Sequence, residues 1–185
     1  SLLCPFHYFG ISDLEVDGKV IDELSEFSNL VSNERVEHII SKINYYSYSG
    51  DRVKGLVFCS SKQEAKVLSE EFNRRGYNTT SLTGEDSQER REQEIAKLVA
   101  NNGDMLDYIF TVDIFNEGVD IPEVNQVIML RPTQSSIIFI QQLGRGLRKS
   151  ADKEFVVIID FIANYKNNFL IPVALSGDNS YDKDT

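Results

Sequence analysis

Gly55-Leu-Val-Phe-Cys-Ser-Ser-Lys-Gln-Glu64 decides the fold. Residues 55–59 form a short apolar run, and Ser61-Lys-Gln-Glu64 follows at once. Ser-x-x-Glu is a capping box, the pattern that opens a helix. The run is continuously apolar rather than alternating, which fits a strand covered on both faces of a parallel sheet. Three more runs read the same way, at 108–112, 127–130 and 155–159, and a weaker strand is expected at 78–82.

Helical patterns fill the gaps. Ala65, Leu68 and Phe72 make one stripe after the capping box, and Gly76 behind Arg74 and Arg75 is a helix stop. Ser87 opens a second helix carrying Ile95, Leu98 and Val99, which ends near Asn102-Gly103. A third is expected from Ser135 towards Arg148. Val36, Ile39, Ile40 and Ile43 follow i, i+3, i+4, i+7 and predict a lead-in helix. Alternating strands and helices imply an α/β three-layer sandwich around a mostly parallel sheet. Residues 1–50 read as connector and lead-in helix, 51–175 as the main domain and 176–185 as a polar tail. Within the first part, 4–9 is short and aromatic, and 13–22 is acidic and loop-like.

The chain has 185 residues, 41% apolar and 26% charged, which suits one globular domain plus an appendage. No apolar run approaches the roughly 20 residues of a membrane helix. Residues 1–10 lack the basic region of a signal peptide. The chain opens on Ser1 rather than Met, so we expect a piece of a longer protein. Cys4 and Cys59 are too few for a disulfide framework, and His7 and His38 have no metal-ligand spacing. A reducing, cytoplasmic setting is expected.

Net charge is −10, which argues against a surface coated with basic groups. The charge is uneven. Residues 1–50 hold eight acids and three bases; residues 131–153 hold five bases and one acid. Local field governs polyanion binding more than the sum does.

Three segments carry candidate chemistry. Gln141-Gln-Leu-Gly-Arg145-Gly-Leu-Arg148 sets two arginines three residues apart, on one face of a helix, where two guanidiniums can hold a polyphosphate. An ordinary cationic helix end is the bland alternative, although two interior glycines disfavour it. Thr111-Val-Asp-Ile-Phe-Asn-Glu-Gly118-Val-Asp120-Ile-Pro122 is a strand end running into an acidic loop, and ligands sit at such ends in open α/β sheets. The same composition also makes a plain turn. Leu82-Thr83-Gly84 with Gln88 and Arg91 could hold a nucleic-acid phosphate, or could be a capped surface helix laced with ion pairs.

In order, 55–61, 82–84 with Gln88 and Arg91, 111–122 and 141–148 resemble motifs IV, IVa, V and VI of the second RecA-like domain of superfamily 2 helicases. The resemblance spans about residues 51–165. It implies a RecA-like, P-loop NTPase-type helicase C-terminal fold. It also implies that Arg145 and Arg148 reach the γ-phosphate of ATP as arginine fingers, with Gln141 close to the nucleotide. Gly118 and Asp120 would lie at the ATP ribose. Ser60 or Ser61, Thr83, Gly84, Gln88, Arg91 and Thr111 would contact the nucleic-acid backbone, with Arg90 competing for the role of Arg91. Gln141, where the DEAD-box RNA group has His, and Glu117-Gly-Val-Asp-Ile-Pro122 look closer to the bacterial DNA-acting branch of excision-repair and restriction-subunit helicases. DNA is then the expected partner, with RNA not excluded and no membrane involved.

No Gly-x-x-x-x-Gly-Lys-[Ser/Thr] loop is present. Without one, Val156-Val-Ile-Ile-Asp160 reads as a core strand with a polar end rather than as a magnesium-binding strand. The phosphate loop and Mg2+ would belong to an N-terminal RecA-like domain of the same polypeptide, and the present fragment alone should not hydrolyse ATP. Two rival readings are a nucleic-acid binding module without motor activity and a flavodoxin-like regulator.

Overall fold

The computed structural model describes residues 5–11, 15–16, 19–20, 33–112, 114, 121–131 and 153–161. The elements are β1 (Phe6–Gly10), β2 (Glu15–Val16), β3 (Lys19–Val20), α1 (Asn33–Tyr46), β4 (Gly55–Phe58), α2 (Lys62–Arg74), β5 (Thr79–Thr83), α3 (Gln88–Val99), β6 (Tyr108–Val112), β7 (Gln126–Met129) and β8 (Val156–Asp160). Six strands form one sheet in the order β1-β8-β7-β4-β6-β5, and every pairing is parallel. The expected apolar runs are the four inner strands, each buried throughout.

Alternate side chains feed two cores. Leu56 and Phe58 of β4 join Ile109, Val127, Met129 and Ile158 on one face, where α3 adds Leu98 and its flank Ile95 and Val99. Val57 and Cys59 join Phe110, Ile128 and Ile159 on the other. There α1 contributes Val36, Ile39 and Ile43, and α2 contributes Ala65, Leu68 and Phe72. This is the expected three-layer sandwich, with a described sheet that is wholly parallel.

The two serines cap their helices as the sequence predicts. Ser61 accepts the Glu64 N–H at 3.0 Å, and Ser87 accepts the Arg90 N–H at 3.1 Å. Gly76 follows the C-cap of α2 with φ +93°, the left-handed conformation that favours glycine.

Two segments differ from expectation. Residues 6–10, read as part of a connector, are strand β1 at the sheet edge, in register with β8 from Phe6↔Val156 to Gly10↔Asp160. Their partner lies some 150 residues away, so no local pattern announces the pairing. The acidic stretch at 13–22 contains a minimal antiparallel pair, Glu15–Val16 with Lys19–Val20. The anticipated third helix, near 135–148, lies outside the described residues.

The end of the sheet where its strands begin is closed by side chains bonded to backbone. Arg52 donates from Nε to Ala100 O at 3.1 Å, from Nη1 to Leu106 O at 2.8 Å and from Nη2 to Leu98 O at 2.6 Å. Lys54, buried, donates to Val99 O at 3.1 Å and to Asn101 Oδ1 at 2.8 Å. The last carbonyls of α3, which no helical N–H can reach, are thus satisfied by two cations from the chain leading into β4. Asn125 accepts Lys54 N–H and donates to the Ser49 and Arg52 carbonyls. Gln126 accepts the Tyr108 hydroxyl at 2.5 Å and donates to Ser47 O at 2.9 Å.

Gly55 faces the ring of Tyr108. A Cβ there would lie 2.4 Å from both Cδ1 and Cε1. The ring is buried and tethered through its hydroxyl to Gln126, so it has little room to yield. We expect Gly55→Ala to destabilise the domain by about 1–3 kcal/mol. Urea unfolding should show a lower midpoint with an unchanged m-value.

Candidate functional site

The strands end at the opposite edge, where ligands of open parallel sheets bind. Register aligns Phe58, Thr111 and Leu82 across β4, β6 and β5. The turn after β4 and the loop after β5 therefore rise from the same edge, about 10 Å apart with one strand between them.

The turn after β4 is built around a buried carboxylate. Glu64 is inaccessible to solvent, and its Oε1 accepts the Ser60 N–H at 2.8 Å and the Ser60 hydroxyl at 3.1 Å. Its Oε2 meets Arg35 Nη1 of α1 at 3.3 Å, with Arg35 itself buried. The capping box is thus only half as expected. Ser61 caps Glu64, but the Glu64 side chain reaches Ser60 rather than the Ser61 N–H. Arg35 was missed in the sequence, although a charged residue beside the apolar stripe of α1 was its signal.

This arrangement separates the two serines. An ionised carboxylate only accepts, so the Ser60 hydroxyl must give its proton to Glu64. Ser61 Oγ instead accepts from Glu64 N–H, which leaves its own proton available. Ser61 is the member of the pair able to donate to an incoming oxygen.

The loop after β5 shows a similar division. Asp86 accepts the Thr83 N–H at 2.8 Å and faces Arg90 Nη1 at 3.3 Å. Arg90 also donates to Thr80 Oγ1 at 3.3 Å. Among the described residues Arg91 bonds only through Nε, on Asp86 O at 3.2 Å, which leaves its two terminal nitrogens uncommitted there. Arg90 is tied into the loop and Arg91 is the freer cation. Thr83 Oγ1 accepts the Glu85 N–H at 3.2 Å and keeps a proton to donate. Gly84 is exposed, and Gln88 makes one exposed bond to Glu92 at 3.1 Å.

Thr111 is not among the exposed donors. It lies within β6, wholly buried, and its hydroxyl has no hydrogen-bond partner among the described residues. The strand runs to Val112, as its apolar run predicts, and the motif position of Thr111 does not expose its side chain. Asp160 at the end of β8 is buried and accepts the Tyr8 hydroxyl at 2.5 Å, consistent with a core strand ending in a polar group. Burial and the adjacent Asp160 push the Tyr8 phenol well above its ordinary range. Gly118, Asp120, Gln141, Arg145 and Arg148 lie outside the described residues. No helix among the described residues is long and apolar enough to cross a membrane.

Residues 33–150 match the helicase conserved C-terminal domain. The chain belongs to this family. A putative ATP-dependent helicase IRC3 of Saccharomyces cerevisiae is 31% identical over 141 residues, covering 76% of this chain and 20% of that protein. The ATP-dependent RNA helicase SrmB of Haemophilus influenzae is 27% identical over 112 residues, 60% of this chain and 25% of that protein. The helicase C-terminal domain described here therefore spans about a fifth to a quarter of the length of these relatives. Among solved structures, a fragment of a putative HsdR subunit of a type I restriction enzyme from Vibrio vulnificus superposes with a TM-score of 0.66 at 20% identity, covering 95% of this chain and 35% of that one. The C-terminal domain of the DEAD-box protein Dbp5 gives 0.58 at 18% identity, covering 95% and 84%. These two likenesses carry the fold.

Cys59 sits directly beneath the Ser60 turn of this helicase C-terminal domain. Burial, then the nearby Glu64 charge, push its thiol well above the usual range, with Arg35 opposing. We expect the Cys59 thiol to resist alkylation in the folded domain. Labelling in a Cys4→Ser background should proceed at the rate of global unfolding. Fast labelling under native conditions would contradict the burial.

Proposed function

We propose that this chain is the second motor domain of an ATP-dependent helicase or translocase that acts on DNA. The observation that carries this reading is one sheet edge where, among the described residues, Ser61, Thr83 and Arg91 keep donors uncommitted beside an exposed Gly84, within a chain of the helicase C-terminal family. Hydroxyls, a backbone amide and a guanidinium are groups that hold phosphates without reading sequence. Gln88 stands at the same helix start and adds a side-chain amide. Such contacts let a strand pass in steps.

ATP is the fuel in this reading, and it sits between this domain and an N-terminal RecA-like partner. Gly118 and Asp120 face the nucleotide. Arg145 and Arg148 neutralise the charge that grows on the γ-phosphoryl group, and Gln141 stands near the reacting phosphate. Magnesium is held by the partner domain in this reading. Closure on nucleotide and opening after hydrolysis would shift the two backbone-gripping surfaces relative to one another. DNA is preferred over RNA on Gln141 and on the segment Glu117-Gly-Val-Asp-Ile-Pro122.

Turnover and binding measurements test the reading. In the natural polypeptide, Arg145→Ala should lower ATP turnover by about 10³- to 10⁵-fold while DNA affinity changes little. Unchanged turnover would remove the finger assignment. Ser61→Ala should weaken binding to single-stranded DNA more than Ser60→Ala does, and Arg91→Ala should lower the slope of log affinity against log salt by about 0.7. RNA bound more tightly than DNA of the same sequence would reverse the substrate preference.

A further inference from the structure

Lys62 is the first residue of α2 and directly follows Ser61; Glu85 directly follows Gly84. Their side chains form an ion pair. Because β6 lies between β4 and β5, this pair bridges the two loops across the end of the intervening strand. It lies between the two loops that carry the donors Ser61, Thr83 and Arg91.

The two acids of the loop after β5 do different things. Asp86 holds the Thr83 amide and Arg90, so it shapes the loop. The Glu85 carboxylate is 76% exposed, and Lys62 is its recorded partner among the described residues. Its contribution to loop geometry comes from its backbone N–H, donated to Thr83. A carboxylate with no evident part in the fold therefore faces a 48%-exposed ammonium at the centre of a phosphate-binding edge.

We propose that Lys62 is a further ligand for backbone phosphate and that Glu85 is an internal competitor which occupies it until a strand arrives. The proposal rests on the nucleic-acid reading above. Carboxylate and phosphodiester offer an ammonium the same thing, anionic acceptor oxygens in a compact array. An exposed ion pair opens at little cost, so a phosphate can exchange with the carboxylate. The exchange weakens the grip without abolishing it. A surface that must release and regrip a polyanion in every cycle gains from a counter-charge tethered beside its cation.

The test is fluorescence anisotropy of a labelled single-stranded oligothymidylate titrated with the full chain. Glu85→Gln should tighten binding about two- to fivefold. Lys62→Ala should weaken it and lower the salt slope by about 0.7. The decisive measurement is the double variant, in which the gain from Glu85→Gln should disappear. Equal tightening by Glu85→Gln in the Lys62→Ala background would mean a general charge effect and would overturn the proposal. So would no change in either single variant. Arg91→Ala, measured alongside, separates the failures. If Arg91→Ala weakens binding while Lys62 and Glu85 are silent, only the competitor proposal falls. If Arg91→Ala is silent as well, the nucleic-acid reading falls with it.

Discussion

A single carboxylate with no access to water organises the upper half of this domain. Glu64 accepts from the Ser60 amide and hydroxyl and faces Arg35, so one side chain joins α1, the end of β4 and the start of α2. Burying a charge is tolerable only when it is paired and its lone pairs are filled, and here both conditions hold. The consequence is directional. With the Ser60 hydroxyl given to Glu64 and Ser61 engaged as an acceptor, the turn keeps one hydroxyl proton to donate, that of Ser61. The chemistry of the exposed edge follows from a contact that solvent never reaches.

The lower half uses the same means with the opposite outcome. Arg52, Lys54, Asn125, Gln126 and Lys153 direct their polar atoms at backbone carbonyls and at each other. The three cations of this group lie against backbone carbonyls. The two ends of the parallel sheet therefore differ in kind. One is a network of side chains on backbone carbonyls that fixes helix ends, and the other carries the Ser61 and Thr83 hydroxyls and the Arg91 guanidinium, which keep donor capacity among the described residues.

The fold was largely legible because its strongest signals are local. Continuous apolar runs bounded by Ser61 and Ser87 caps and by Gly76 need only neighbouring residues to be read. Strand β1 was not legible, because Phe6 to Gly10 gains its meaning only from β8 at the far end of the sequence. The site was half legible. Motif order pointed to Ser60, Ser61, Thr83, Gly84, Gln88 and Arg91, yet no motif says which of two adjacent serines keeps a free proton, or which of two adjacent arginines is tied down. Those distinctions rest on Glu64 and Asp86, and they exist only once the chain is folded. Thr111 shows the converse, since its motif position suggested exposure and the continuing strand buries it.

The anchoring of α3 has a mechanical meaning. Arg91 stands near one end of this helix, and the carbonyls at its other end are held by Arg52 and Lys54, which lead directly into β4. A pull on Arg91 would thus be delivered to a strand with neighbours on both sides, its ladder of bonds loaded together rather than one after another. The helix thus links the loop after β5 to an inner strand of the sheet.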